Sequence, residues 1–278
     1  MNPYTTSFYE RQSKETYVSS EVIVPLLLDL VQPQSVIDVG CGTGSWLRTF
    51  LQLGVKEVRG FDGPWLDAAK LLVPQEIFTR ADLEKPLRVD KRVDLAISLE
   101  VAEHLSPNAA EGFVESLTSM SDVVAFSAAI PFQGGHQHLN EQWPEYWANL
   151  FEKKGYITID CLRMRLWNER NVHYWYRQNM LIYVKREALP RYPKLAACQQ
   201  ASWGPLPFVH PMLYIPGAAF LRHMGVADAT RLWFRVFSRM VSKRVKGMFG
   251  QAQKLPGPLL PPRPIGAPLE RRVTSQTH

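Results

Sequence analysis

Apolar residues in this chain fall into short runs parted by glycine, proline and charge, and the runs alternate between two periods. Residues 14–31, ending in "VIVPLLLDLV", read as a helix with Ser19 or Ser20 as its cap, Glu21 following and Pro25 in the first turn, where a missing N–H matters least. "SVIDVG" (35–40) is a β-rich run that ends in glycine. "SWLRTFLQLG" (45–54) has helical spacing and stops at Gly54. Then come a strand "EVRGFDG" (57–63), a short helix "DAAKLLVP", and strands "EIFTRADL" (76–83) and "VDLAISLE" (93–100). "NAAEGFVESLTSM" (108–120) is helical and "DVVAFSAAIP" (122–131) is a fifth strand.

Short strands alternating with helices predict an α/β fold, a parallel sheet wrapped on both faces. The pattern changes after Pro131. A polar loop, "FQGGHQHLNEQW", leads into a helix "PEYWANLFEKKG" (144–155), followed by strands "YITIDCLRMRL" (156–166) and "WYRQNMLIYVKR" (175–186). The link between these two strands is too short for a crossover helix, so they should be antiparallel neighbours, a reversed hairpin ending the sheet.

Charge divides the chain. Residues 1–187 hold 19 Lys and Arg against 24 Asp and Glu, whereas residues 188–278 hold 13 against 2 and carry 12 of the 21 prolines. The expected organisation is therefore an acidic domain (1–187), a proline-rich connector (188–225), a basic amphipathic helix (226–250) and a disordered tail (251–278). In "ADATRLWFRVFSRMVSKRVKGMFG" (227–250), Arg231, Arg235, Arg239, Lys243 and Lys246 fall on one side and Trp233, Phe234, Phe237 and Met240 on the other. Docking of that apolar face on protein is the plainer reading, and peripheral contact with an anionic inner membrane face is the alternative. Cys41, Cys161 and Cys198 are too far apart in sequence for a disulfide framework or a CxxC knuckle. With no leader-like start and no spanning run, the expected compartment is cytoplasmic. No nucleic-acid motif accompanies the charge, and nothing in the sequence fixes an oligomeric state.

The chemistry centres on "VIDVGCGTGSW" (36–46), where a strand turns into a helix on three glycines. Such a turn lets a ligand approach the backbone and offers free N–H groups at the helix start. The spacing is Gly40-x-Gly42-x-Gly44, with Ser45 where a dinucleotide fingerprint wants glycine. Asp62 ends the second strand, and Asp82 and Leu83 end the third. Asp38-Val39-Gly40-Cys41-Gly42-Thr43-Gly44 resembles the E/D-x-G-x-G-x-G motif of class I S-adenosylmethionine (SAM)-dependent methyltransferases. That resemblance implies a Rossmann-like seven-stranded sheet whose seventh strand is antiparallel. It also implies SAM as cofactor, bound by Asp38, Gly40, Cys41, Gly42 and Gly44, with the glycine backbone at its methionine part. Asp62 then takes the ribose, Asp82 the adenine amino group, and Leu83 packs on the adenine, while Glu100 joins the cofactor-facing set.

Methyl transfer needs an aligned nucleophile and, for a hydroxyl acceptor, a base. His138 in "GGHQHLNEQW" is the preferred base, with His136 behind it; Asn140 and Glu141 either orient the histidine or cap the next helix. In "SLEVAEHL", Glu100, Glu103 and His104 could share one helical face and hold a divalent ion. This E-x-x-E-H pattern resembles the Mg²⁺ triplet of ubiquinone-pathway O-methyltransferases and the set in small-RNA 3′-end methyltransferases, where a downstream histidine (here His136 or His138) completes the site. Similar segments end the fourth strand in metal-free methyltransferases, so both readings stay open. Of the aromatics Trp143, Tyr146, Trp147, Trp167, Tyr174, Trp175 and Tyr176, most should be core and one or two should rim the cleft. Over residues 7–187 the later motifs resemble a bacterial methyltransferase branch found with polysaccharide and secondary-metabolite gene sets. The expectation is O-methylation of a small-molecule or glycan acceptor; a metal-assisted RNA or quinone-type O-methyltransferase and a non-catalytic SAM-binding protein are the alternatives.

Overall fold

The structure, a computed structural model, describes residues 6–200 and 205–223 together with residues 225 and 230. The basic helix and the tail expected beyond 225 otherwise lie outside the described residues. The elements, in chain order, are α1 (Thr6–Val31), β1 (Ser35–Val39), α2 (Ser45–Gln52), β2 (Glu57–Asp62), β3 (Phe78–Arg80), β4 (Leu95–Leu99), α3 (Ala110–Met120) and β5 (Val123–Ser127). There follow α4 (Pro144–Lys153), β6 (Tyr156–Ile159), α5 (Arg163–Leu166), α6 (Tyr174–Asn179), β7 (Leu181–Lys185), α7 (Pro193–Gln200) and α8 (Pro211–His223).

The seven strands form one sheet in the order β3-β2-β1-β4-β5-β7-β6. All neighbours from β3 to β5 pair in parallel, and β7 runs antiparallel to both β5 and β6. Alternate residues of each inner strand feed two apolar layers: Val36, Leu95, Val123 and Ile182 one layer, Ile37, Ala96, Val124 and Tyr183 the other. Both faces are covered, so the inner strands are buried on both sides and mostly apolar, without the regular polar alternation of a half-exposed strand. The first layer packs under α1 and α2, with Leu195 of α7 fully buried in it; the second packs under α3 and α4. The compact unit runs over Met1–Ala219, so α7 belongs with the sheet although composition puts it in the connector.

Three local expectations are corrected. First, α1 begins at Thr6, and Pro25 lies in its interior instead of its first turn. Ser19 and Ser20 do not cap it. Their hydroxyls donate back to the carbonyls of Glu15 (2.9 Å) and Tyr17 (2.7 Å), and Ser20 also meets Thr49 of α2 at 2.6 Å. Ile23, Val24, Leu27, Leu30 and Val31 bury one stripe of this helix, which offsets the roughly 3 kcal/mol of an interior proline. Second, the strand expected over 76–83 is only Phe78–Arg80, and "DAAKLLVP" keeps one 3-10 turn, Ala68–Lys70, with Asp67 accepting from Ala69 N–H. Third, residues 160–180 hold the two short helices α5 and α6, so the strands expected over 156–166 and 175–186 shrink to β6 and β7. Their antiparallel pairing stands, because neither short helix carries the chain across the sheet.

Candidate active site

Parallel pairing brings the carboxyl ends of β1, β2, β4 and β5 to one edge of the sheet. At that edge the glycine turn is tied to β2, since Gly40 and Cys41 N–H both donate to the Phe61 carbonyl, at 2.7 and 3.1 Å. Gly40 has φ +87°, and a Cβ on it would lie 2.3 Å from Val101 Cγ2, so no other residue fits. Gly42, at φ +51°, differs: a Cβ there would meet nothing within 4 Å. Its backbone faces open space, as a ligand cradle requires. Gly44 is the left-handed N-cap of α2.

Asp62 organises this turn. Its two carboxylate oxygens accept from Gly42 N–H and Gly63 N–H, each at 2.6 Å. Burial pushes its carboxyl up, and these two N–H groups oppose that. Asp38 sits in register between Gly60 of β2 and Ile97 of β4. It is 1% exposed, and its Oδ2 has no hydrogen-bond partner. Burial first, and then the neighbouring Asp62, drive its carboxyl well above the usual range. An unsatisfied buried acid beside an open glycine backbone suits a cationic donor such as an ammonium.

The remaining cofactor-facing candidates are dispersed around this edge. Cys41 Sγ packs on β2, where a Cβ on Gly60 would come within 2.7 Å of it, and burial pushes its thiol up. Leu83 is buried in the apolar layer that also holds Phe61 and Val101. Asp82 is exposed, accepting from Glu84 N–H and pairing with Lys85 at 3.0 Å; Lys85 holds its carboxyl below the ordinary value. Sequence reasoning passed over Trp65, three residues after Asp62. It is 60% exposed with its ring over Gly63, where a Cβ would lie 2.0 Å from Trp65 Cη2. Its signal was a tryptophan following Gly-Pro in the loop after β2.

Across the edge, Glu100 leaves β4 with φ +58°. Its N–H donates to the Ser127 carbonyl (3.0 Å) at the end of β5, and its oxygens accept from Gln133 Nε2 (2.9 Å) and Asn179 Nδ2 (3.0 Å). Burial raises the Glu100 carboxyl against these amides. The chain then makes a single 3-10 turn, Ala102–His104, so the α-helical face expected to collect Glu100, Glu103 and His104 does not exist. The cluster that forms is Glu103, His104 and His138, whose ligand-type atoms all lie within 4.8 Å of one another. Glu100 is committed to the Gln133 and Asn179 amides, and His138 joins in its stead. Glu103 is 1% exposed with Oε2 unpartnered, and burial, then Glu100, push its carboxyl well up. Burial, then His138, pull the His104 imidazole down to about 4, so it is neutral at physiological pH.

His138 Nδ1 lies 2.9 Å from Glu141 Oε1, and Glu141 also accepts from Phe132 N–H (2.8 Å) and Gly134 N–H (3.0 Å). One carboxylate thus folds the 132–138 loop and orients the histidine. The N-cap of α4 is Trp143, with no side-chain cap bond, so neither residue caps; Glu141 orients the histidine, whereas Asn140 Oδ1 accepts from Gln142 Nε2 at 2.9 Å. Asn140 is buried, its N–H donating to the Glu103 carbonyl at 3.0 Å. His136 is exposed. Three of the four non-glycine residues with positive φ among those described, Glu100, Phe132 and Gln137, lie in these two loops. Backbone strain of roughly 1–2 kcal/mol per residue is thereby concentrated opposite the glycine turn. Of the aromatics, Trp147 and Tyr176 are core, whereas Trp167 and Tyr174 line a cleft.

The sequence matches the model of a methyltransferase domain family over residues 9–178. No curated protein matches it significantly. Among solved structures, the methyltransferase domain of bacterial CtHen1-CN is 20% identical, covering 60% of this chain and 97% of its own, with a TM-score of 0.44. The magnesium protoporphyrin IX methyltransferase ChlM of Synechocystis PCC 6803, with bound SAH, is 18% identical over 66% of this chain and 90% of its own, TM-score 0.44. SAM-bound CalS10, an amino pentose methyltransferase from Micromonospora echinaspora, is 12% identical over 66% and 99%, TM-score 0.48.

Proposed function

The chain belongs to the methyltransferase-domain family and is a SAM-dependent methyltransferase, and from that premise we propose that it methylates a hydroxyl of a small-molecule or glycan acceptor, with His138 as base. The observation that carries this reading is the His138–Glu141 pair at 2.9 Å, on the sheet edge shared with the glycine turn. With Nδ1–H donated to Glu141, His138 Nε2 keeps a lone pair to accept the hydroxyl proton, and the Glu141 carboxylate stabilises the imidazolium that results. Gly42 offers its open backbone face, Asp62 has lone pairs left for ribose hydroxyls, and Asp38 answers the ammonium of the methionine part. Bound SAM supplies a methyl on a sulfonium whose departing thioether is neutral, so the leaving group needs no acid. His138→Ala should lower kcat by roughly 10²- to 10⁴-fold with the affinity for S-adenosylhomocysteine (SAH) unchanged. The acceptor for that assay comes from fractionated extract labelled with methyl-labelled SAM. Unaltered turnover by the variant would remove His138 from the reaction.

A second reading rests on the Glu103–His104–His138 cluster. Its neutral imidazole and unpartnered carboxylate oxygen suit a divalent transition ion, with Glu141 then orienting His138 as a ligand. Turnover abolished by chelator, together with Mn²⁺ binding lost in Glu103→Gln, supports a metal. Turnover indifferent to chelator leaves His138 as a base.

A further inference from the structure

Between the β6–β7 connection and the chain around His210 lies a cleft of about 510 Å³, a volume in the range of small-molecule sites. Its floor is Arg177 of α6, only 5% exposed. Arg177 Nη1 donates to the Trp167 carbonyl at 3.1 Å, Nη2 meets Met212 Sδ, a weak acceptor, at 3.0 Å, and Nε has no partner. Among the described residues no carboxylate comes within ion-pair distance of it; the Glu169 carboxylate acts on it only from further away, and a buried cation without a direct charge partner is costly.

Its surroundings cannot answer that need. His210 Nδ1 accepts from Met212 N–H at 3.2 Å, which puts the ring proton on Nε2 to donate to the Trp167 carbonyl at 3.0 Å. That carbonyl therefore serves two donors already. The segment bearing His210 is held in place: Arg163 donates to the Leu206 carbonyl at 2.7 Å and lies over Phe208, and His210 N–H donates to Gln178 Oε1 at 2.8 Å. Trp167 and Tyr174 form aromatic walls, and exposed Arg170 adds a second positive charge at the rim. The same helix α6 sends Asn179 to Glu100, so the cleft and the catalytic edge are joined through one element.

We infer that this cleft receives an anionic oxyacid group, a carboxylate or phosphate, borne on a sugar-sized ring of the methyl acceptor, with Arg177 as its charge partner and Trp167 and Tyr174 against the ring. The guanidinium fork matches either anion, and aromatic faces pack on a sugar ring. Calling the ligand the acceptor rests on the methyltransferase reading; the anion site itself does not.

The test is a tryptophan-fluorescence titration of the full chain with D-glucuronate, glucose 6-phosphate, inorganic phosphate and neutral glucose, with SAH titrated in parallel. An anionic sugar should bind at least tenfold more tightly than glucose and weaken as NaCl rises, and the preferred sugar identifies the group as carboxylate or phosphate. Arg177→Gln should weaken that binding roughly 10- to 100-fold while SAH affinity holds. Exposed Arg170→Gln should weaken it several-fold, and decides the matter with the salt dependence if the Arg177 variant does not fold. Glucose binding as well as the anionic sugars, inorganic phosphate alone binding, or anion binding indifferent to both substitutions and to salt would overturn the inference. Anion selectivity without SAH binding would overturn the methyltransferase reading and leave the anion site standing.

Discussion

Adding one methyl group at two positions of the glycine turn separates folding from binding. In Gly40→Ala the new Cβ would stand 2.3 and 2.6 Å from the Val101 methyls, on a backbone at φ +87°. The left-handed backbone costs roughly 1–2 kcal/mol and forced repacking typically another 1–3 kcal/mol. Together that is about 2–5 kcal/mol, or a fall of roughly 4–20 °C in Tm at about 2–4 °C per kcal/mol. In Gly42→Ala the Cβ meets nothing within 4 Å at φ +51°, so only the backbone penalty applies and Tm should fall by a few degrees. Its methyl would instead occupy the space assigned to SAM. An overpacking penalty of about 1–3 kcal/mol there converts to a loss of roughly 5- to 150-fold in affinity. Thermal melts of both variants, with calorimetric titration of SAH, read the two effects. The reasoning is refuted if Gly42→Ala binds SAH as tightly as the wild type, or if Gly40→Ala melts at the wild-type temperature.

Asp62→Ala should abolish measurable SAH binding and also lower Tm, because the buried Gly63 N–H loses its acceptor at roughly 1–3 kcal/mol and the part-buried Gly42 N–H loses its own; wild-type affinity by calorimetry would contradict this. Arg163 is fully buried and paired with Asp160 at 2.5 Å, so Arg163→Ala should cost about 3–5 kcal/mol, and a melt within 2 °C of the wild type would refute it. Burial lowers the His210 pKa from 6.5, and its Nδ1 must stay unprotonated to accept from Met212 N–H. The unfolded chain therefore binds the extra proton first. The stability from neutral His210 is complete above 6.5 and is lost as pH falls from there towards the lower folded value. Hydrogen exchange of residues 205–212 should accelerate on going from pH 7.5 to 5.5 relative to the sheet, and equal ratios at both pH values would count against the assignment.

What local pattern dictates was legible in the chain. The inner strands are apolar runs because both faces of the sheet are covered, and Gly40 and Gly42 follow from the turn the first strand must make. What depends on distant partners was not. The segment "WYRQN" reads as strand from its aromatics, yet it is α6. A six-residue helix is not stable on propensity alone and is held here by Gln178 and Asn179 reaching Gln133 and Glu100. The histidine cluster was legible in residue types but not in membership. Glu100 turns away at positive φ, and Glu141, read equally well as a cap, orients His138 instead. Residues 205–212 carry no periodicity at all, and distant partners, Arg163, Gln178, Trp167 and Arg177, define where they lie.

The most direct measurement is isothermal titration of the purified chain with SAM, SAH and NAD⁺. Saturable heat with SAM and SAH at one site per chain, and none with NAD⁺, is the expected result. Heat with NAD⁺ and none with either sulfur ligand would contradict the assignment of the open Gly42 backbone, Asp38 and Asp62 to an adenosyl sulfonium.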